Sequence, residues 1–417
     1  MTEVAAPTSA LPEPGGPDPA APVRRRRALG DNTIVVTLLA FVAAMVVGAI
    51  LIAFSDPATR SASAYFFSAP MDTLRAAASA IGRGYAALFE GAVFNPTTAA
   101  RGTVAGIFGP ISETLVSATP LILGGLSVGL AFRAGLFNIG GQGQIVAGAT
   151  CAGYVGFAWH LPVVIHLVVA IVAGMVGGGL WGALAGWLKA RTGAHEVITT
   201  IMLNYVAVNM LGFLLSVKGF QRPPYGQAIS NVVDANARLP HLLGSSLRVN
   251  AGLFLALLAA YAIHWLLTRS VLGFEFRAVG ANQNAARTAG MSVERSYTRV
   301  MLIAGVLSGL AGVTQILGTN SAITGDIDAG IGFDAITVAL LGRANAGGTV
   351  LAGLLFGALR AGGVQMQSST GTPIDVVSVV QALIVLFIAA PALVRFLFRL
   401  HGSGAGAGQG LAKGWNG

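Results

Sequence analysis

Apolar residues in this chain gather into long uncharged runs, without the alternation of a half-buried strand or the one-sided spacing of a surface helix. The first run, 33–54, holds 22 residues free of charge, enough for a helix to cross the ~30 Å of hydrocarbon in a bilayer. Further runs occupy 114–132, 134–159, 161–188, 197–217, 251–267, 300–319 and 376–394, with two shorter stretches at 331–342 and 346–359. They predict an all-α polytopic membrane protein with about ten transmembrane helices over residues 33–400. The first run is too long for the apolar core of a cleaved signal, so it reads as a retained span. Residues 1–32, rich in Pro, Ala and Gly, and the glycine-rich 401–417 read as disordered tails.

Composition narrows the class further. Of 417 residues, 54% are hydrophobic and 10% charged, against about 25% charged in soluble domains. With a mean hydropathy of +0.73, a cytosolic enzyme, a disordered chain and a coiled coil are excluded, because so few charges would leave a soluble surface mostly apolar. Cys151 is the single cysteine, so no internal disulfide or multi-cysteine metal site can form. The six histidines show no ligand spacing, and His195-Glu196 lacks the second His of a zinc-protease motif. No metal or cofactor is expected.

The formal charge of +9 rests on 22 Arg and 3 Lys, which stand singly between the runs apart from four arginines at 24–27. With ten crossings, one side receives those four and Arg133, Lys189, Arg191, Arg269, Arg277, Arg287, Arg295, Arg299, Arg343, Arg395, Arg399 and Lys413. The other receives Arg60, Arg75, Arg83, Arg101, Lys218, Arg222, Arg238 and Arg248, four of them in the long segment 55–110. The positive-inside bias predicts a multi-pass protein of the plasma membrane with both termini cytoplasmic. Segment 55–110 is then external, with short amphipathic helices, and 268–298 is cytoplasmic. Scattered loop charges of this kind point to a lipid bilayer as partner and not to nucleic acid.

Polar interruptions mark the candidate chemistry. Asn138-Ile-Gly-Gly-Gln-Gly-Gln144 breaks what should be the start of a span, and irregular backbone at membrane depth is tolerated only inside protein or along a water-filled path. Asn138, Gln142 and Gln144 are neutral hydrogen-bonding groups that suit a polar, uncharged solute; interhelical glue is the equal alternative. Thr200 and Asn204 share a face of the span after His195-Glu196, with Asn209 close to it. Glu196 falls in that helix's first turn, a favourable place for a carboxylate. Gln315, Asn320 and Asp334 flank or lie in a polar stretch before the short run 331–342, which at ~18 Å of helix cannot cross alone. Short, glycine-interrupted segments point to a transport site, and a buried Asp334 would need a partner such as Arg360. In the loop 268–298, residues 282–290 read as a short helix capped by Asn282 and ended by Gly290. Spanning does not require it, so it reads as a docking element. Glycines at 174, 178, 182 and 186, and the pairs 125/129, 305/309 and 353/357, are small-residue faces for close helix packing.

No P-loop is present, since none of the three lysines follows glycine. There is no nucleophile elbow and no ladder of buried carboxylates for ion coupling. Ser308 is the one nucleophile candidate for a membrane-embedded enzyme, and it has no base in view.

Three stretches follow one another in order: Gly129-Leu-Ala-Phe-Arg-Ala-Gly-Leu-Phe-Asn-Ile-Gly-Gly-Gln-Gly-Gln144, His195-Glu-Val-Ile-Thr-Thr-Ile-Met-Leu-Asn-Tyr205, and Arg277-Ala-Val-Gly-Ala-Asn282 continuing to Ala285-Ala-Arg287 and Ala289-Gly290. Over roughly residues 60–395 the chain resembles permease subunits of bacterial ABC importers in the branched-chain amino acid/ribose permease superfamily. It most resembles the longer permease of nucleoside-type (simple sugar/nucleoside) systems. It departs from that pattern at Gln142, where many relatives carry an acidic residue, and at His195, where Asn is common. The resemblance implies the type II importer fold and no ATPase site in this chain. It also implies a second, shorter permease, two cytoplasmic ATP-binding subunits and an extracellular substrate-binding lipoprotein. Arg277, Gly280, Asn282, Ala286, Arg287 and Gly290 match the family's coupling helix. The solute would be a nucleoside or a related neutral polar molecule, with a simple sugar as the rival. A stand-alone transporter or facilitator is the alternative outside the family.

Overall fold

The computed structural model describes residues 33–399; both expected tails, with the arginines at 24–27 and Lys413, lie outside the described residues. Among the described residues sixteen α-helices follow in order. They are α1 (Thr33–Ser55), α2 (Pro57–Ser63), α3 (Pro70–Ala92), α4 (Pro96–Ala99), α5 (Val104–Arg133), α6 (Gly141–Ala158), α7 (Val163–Thr192) and α8 (Glu196–Leu214). Then come α9 (Gly252–Arg269), α10 (Val271–Ala281), α11 (Gln283–Thr288), α12 (Val293–Gln315), α13 (Ile331–Leu341), α14 (Ala346–Thr370), α15 (Asp375–Ala389) and α16 (Pro391–Leu397). Among the described residues β-pairing is limited to isolated bridges, such as Gln221 with Ser230 and Ile229 with Thr324.

Seven helices, including α1, α5, α7, α8, α9, α12 and α14, are long and apolar enough to cross a membrane. An eighth span would be α15 and α16 together, bent by 97°; Pro391 at the start of α16 has no N–H to continue the ladder. The expected ten is therefore approximate: α6 opens on Gly-Gln-Gly-Gln and α13 has only 11 residues. The second expected short run is not short. α14 continues past Leu359 to Thr370: Arg360 meets Asp334 and the Ala329 carbonyl, while Gln367, Ser368 and Ser369 are exposed and the two serines donate back to the Gln365 carbonyl of the same helix.

The centre is made by α5 and α12, whose apolar windows are 78% and 83% buried, against 22–28% for α7, α8 and α9. The outer helices present apolar side chains such as Val164, Leu180, Phe213 and Leu258, as lipid contact demands. Lipid offers helices no hydrophobic reason to associate, so α7 and α12 meet through glycine. A methyl on Gly178 would sit 2.5 Å from both the Gly305 carbonyl oxygen and the Gly309 Cα. Gly182 is as close to the Met301 carbonyl. The pairs at 125/129 and 353/357 serve the same purpose, receiving Val338, Thr349 and Ala344, and Ile122 and Ala118.

The segment expected to carry short amphipathic helices holds α2, α3 and α4, and α3 is longer than expected at 23 residues. Its buried Ala80, Gly84 and Ala87 pack toward α1 and α14, with Ile52 against Gly84 and Gln365 against Gly91. The Tyr85 hydroxyl donates to the Met45 carbonyl. Asp56 caps α2 through Thr59 and pairs with Arg83 at 3.4 Å.

Candidate functional site

Two helices begin inside the bundle, and their amino ends meet. A methyl on Gly332, in the first turn of α13, would lie 2.5 Å from the Gln142 Cα in the first turn of α6. From that point the helices diverge. α6 runs past Gly309 and Ile316 to Val233, whereas α13 follows α5 from Gly124 to Gly129 and the Arg133 end. A helix amino end carries unpaired N–H groups and partial positive charge. Their meeting inside the bundle is the polar centre of the molecule.

The segment leading into α6 is fixed by amides. Asn138 is fully buried and exchanges hydrogen bonds with Gln144 at 3.1 and 3.2 Å. Its Oδ1 also accepts from the Gly140 N–H at 3.0 Å. Asn204, on α8, accepts from the Gly143 N–H at 2.8 Å and donates to the Ile139 carbonyl at 2.9 Å. Both backbone groups lie where no regular helix bond reaches them. Thr200 is buried against Gly140 and returns its hydroxyl to the Glu196 carbonyl at 2.7 Å. Asn138, Gln144, Asn204 and Thr200 are thus brought together, with their polar atoms engaged on each other and on backbone. Asn209 is exposed and bonds its own helix at Tyr205. Glu196 sits in the first turn of α8, paired with Lys189 at 2.6 Å.

The α13 side carries the charge. Gln142 donates to Asp328 Oδ1 at 3.3 Å. Asp328 is only 2% exposed, and its Oδ2 makes no hydrogen bond of ordinary geometry; the amides of Gly330 and Gly332 lie near the carboxylate. Beside it, Asp334 and Arg360 approach to 3.9 Å, each about one-third exposed. The Arg360 guanidinium also donates to the Ala329 carbonyl, so the expected partner of Asp334 is in place. Gln315 is buried at the end of α12, and Asn320 is exposed on the π-helical turn that follows; neither bonds this cluster. Asp328 went unnoticed in the sequence. The available signal was Asp326 and Asp328 directly before, and Asp334 in the first turn of, a helix too short to cross.

Ser308 is fully buried and donates to Ser127 at 2.9 Å, close to Asn138. Among its described contacts its hydroxyl bonds only that neighbouring serine.

At the Arg133 end, Asn282 caps α11, accepting from the N–H groups of Asn284 and Ala285 at 3.0 Å. Gly290 ends the loop helix at φ +82°, Ala286 is its buried contact and Arg287 pairs in the open with Glu294 at 3.1 Å. Arg277 bonds back to Gly273 on its own helix at 3.3 Å. Gly280 lies against the connector from α5 to α6: a methyl there would sit 2.9 Å from the Gly135 nitrogen. Arg133 donates from Nε to the Ala344 carbonyl at 2.9 Å and also reaches the Arg343 carbonyl at 3.5 Å. The loop 268–298, the connector to α6 and the turn after α13 therefore converge on residues 133–135.

The family described as branched-chain amino acid transport system / permease component matches residues 110–389, a stretch holding both broken segments and the loop helix. The chain belongs to this permease family. The guanosine ABC transporter permease protein NupP of Bacillus subtilis is 44% identical over 300 residues, covering 70% of this chain and 85% of that protein. The glucose ABC transporter permease protein TsgB13 of Haloferax volcanii is 37% identical, covering 69% and 77%. The nucleoside ABC transporter permease protein NupB of Lactococcus lactis is 35% identical, covering 69% and 81%. No solved structure gives a match. The permease is a multi-pass membrane protein and a transport component, of a class that works with ATP-binding and substrate-binding partners.

Proposed function

We propose that the permease forms half of the translocation path of an ATP-driven importer for a nucleoside. The 44% identity to a guanosine permease carries this reading; the neutral amides and broken helices at the centre are consistent with it. In this reading Gln142, Asp334 and Arg360 border the path. Asn138, Gln144, Thr200 and Asn204 shape it from behind, and Gln315 and Asn320 lie toward its outer end. A second, shorter permease completes the path, two ATP-binding subunits dock at Asn282–Gly290, and an extracellular lipoprotein delivers solute. Both termini are cytoplasmic, segment 55–110 is external, and the helices have the type II importer arrangement.

The mechanism is alternating access. Closure of the ATP-binding pair pushes the loop helix. Gly280 passes that displacement to the connector at Gly135, and Arg133 passes it to the turn after α13. The meeting ends of α6 and α13 then shift together. A glucose permease relative at 37% identity keeps a simple sugar as the second reading.

Reconstitution with the partner subunits should give ATP-dependent uptake of guanosine, and Arg287→Glu should abolish it. Uptake by this polypeptide alone, or uptake of glucose without guanosine, would refute the proposal.

A further inference from the structure

We infer that Asp328, Gln142 and the Asp334–Arg360 pair form a recognition site for a vicinal diol. This rests on the importer reading and adds the chemical feature that the path selects. Asp328 is all but inaccessible, yet one carboxylate oxygen lacks a hydrogen bond of ordinary geometry. A buried acceptor left in that state is costly and rare. Two features stand beside it, namely the side-chain amide of Gln142 at 3.3 Å and the converging amino ends of α6 and α13. Asp334 and Arg360 add a second acceptor and a second donor at the half-exposed margin.

That set matches neighbouring hydroxyl groups. An ionised carboxylate is acceptor-only, with two oxygens that can each take one O–H of a diol. Gln142 and Arg360 can donate back to the hydroxyl oxygens. A guanine base could also offer a carboxylate two adjacent N–H donors, but glucose carries no base, so the hydroxyl pair is the donor set that guanosine and glucose share. The solutes named for two of the relatives, guanosine and glucose, differ in nearly everything except that they carry neighbouring hydroxyls. A diol-reading centre is therefore compatible with relatives whose solutes otherwise diverge. A monovalent cation is the competing occupant, since Asp326, Asp328 and Asp334 outnumber Arg360.

The test uses the full complex in proteoliposomes, with guanosine and 2′,3′-dideoxyguanosine as solutes. Uptake of each is measured for the unaltered permease, Asp328→Asn and Gln142→Leu. The lipoprotein's own preference is common to all three and cancels when the guanosine:dideoxyguanosine ratios are compared. Loss of a charged hydrogen bond corresponds to about ten- to hundredfold. Asp328→Asn should therefore lower the ratio about tenfold or more, and Gln142→Leu should lower it by a smaller factor. An unchanged ratio in either variant that still transports overturns the diol site. So does sodium-stimulated uptake lost in Asp328→Asn with the ratio intact. If the unaltered complex imports glucose but not guanosine, the nucleoside reading fails on its own, and the same comparison with glucose and 2,3-dideoxyglucose, which has no neighbouring hydroxyl pair, decides the site.

Discussion

Asn204→Leu removes the two hydrogen bonds that tie α8 to the start of α6 while keeping the side chain's approximate volume. Asn204 is 3% exposed, and its partners are backbone groups, the Gly143 N–H at 2.8 Å and the Ile139 carbonyl at 2.9 Å. Two average interhelical side-chain bonds in a membrane protein would contribute only ~1.2 kcal/mol. Here each lost bond leaves a buried main-chain group without its partner, at ~1–3 kcal/mol apiece. The expected loss is therefore about 2–6 kcal/mol. Reversible unfolding of the purified permease in mixed micelles with increasing SDS would measure it. Asn204→Asp retains the acceptor for Gly143 but sets an oxygen against the Ile139 carbonyl, so it should be intermediate or worse. Guanosine and dideoxyguanosine uptake should fall together, because Asn204 acts on the backbone and not on the solute. A loss below ~1 kcal/mol, or a selective change for one solute, would refute the reasoning from unsatisfied backbone groups.

Three further outcomes are expected. Gly178→Ala forces a methyl onto the backbone of α12 and should destabilise by ~1–3 kcal/mol, whereas Gly212→Ala, with nothing within 4 Å, should be neutral in the same unfolding assay. Asn282→Ala removes the cap of α11 at a cost of ~1 kcal/mol; a titration of the ATP-binding subunit should show about fivefold weaker association. Gly280→Ala separates the docking loop from the connector at Gly135, so ATP hydrolysis should persist while solute moved per ATP falls; equal loss of both would place the defect in assembly.

The crossing helices were legible because an uncharged run of about 20 residues has few alternatives. The capped loop helix was legible because Asn282 and Gly290 mark its ends by backbone chemistry. Residues 360–370 were not, since Arg360 looks like the end of a span until its partners, Asp334 and Ala329, are seen arriving from α13 and the turn before it. Asp328 was hidden for the same reason. Within Thr-Gly-Asp-Ile-Asp it resembles a solvated turn, and only the tertiary contact between α6 and α13 shows that it is buried. Asn138, Gln144 and Asn204 stand out in the sequence as amides within apolar runs, and all three are buried. Choosing between solute contact and internal scaffold required knowing where each amide points, and one-dimensional spacing does not carry that information.

The turn after α13 puts two consecutive non-glycine residues in the left-handed region, Arg343 at φ +54° and Ala344 at φ +49°. Such a conformation costs ~1–2 kcal/mol per residue, and the carbonyls of both residues are held by Arg133. In the proposed alternating-access motion the turn would serve as a cocked catch with the arginine as its pin. A displacement that withdraws Arg133 would let the turn relax, so the backbone itself would supply part of the energy that starts α13 moving.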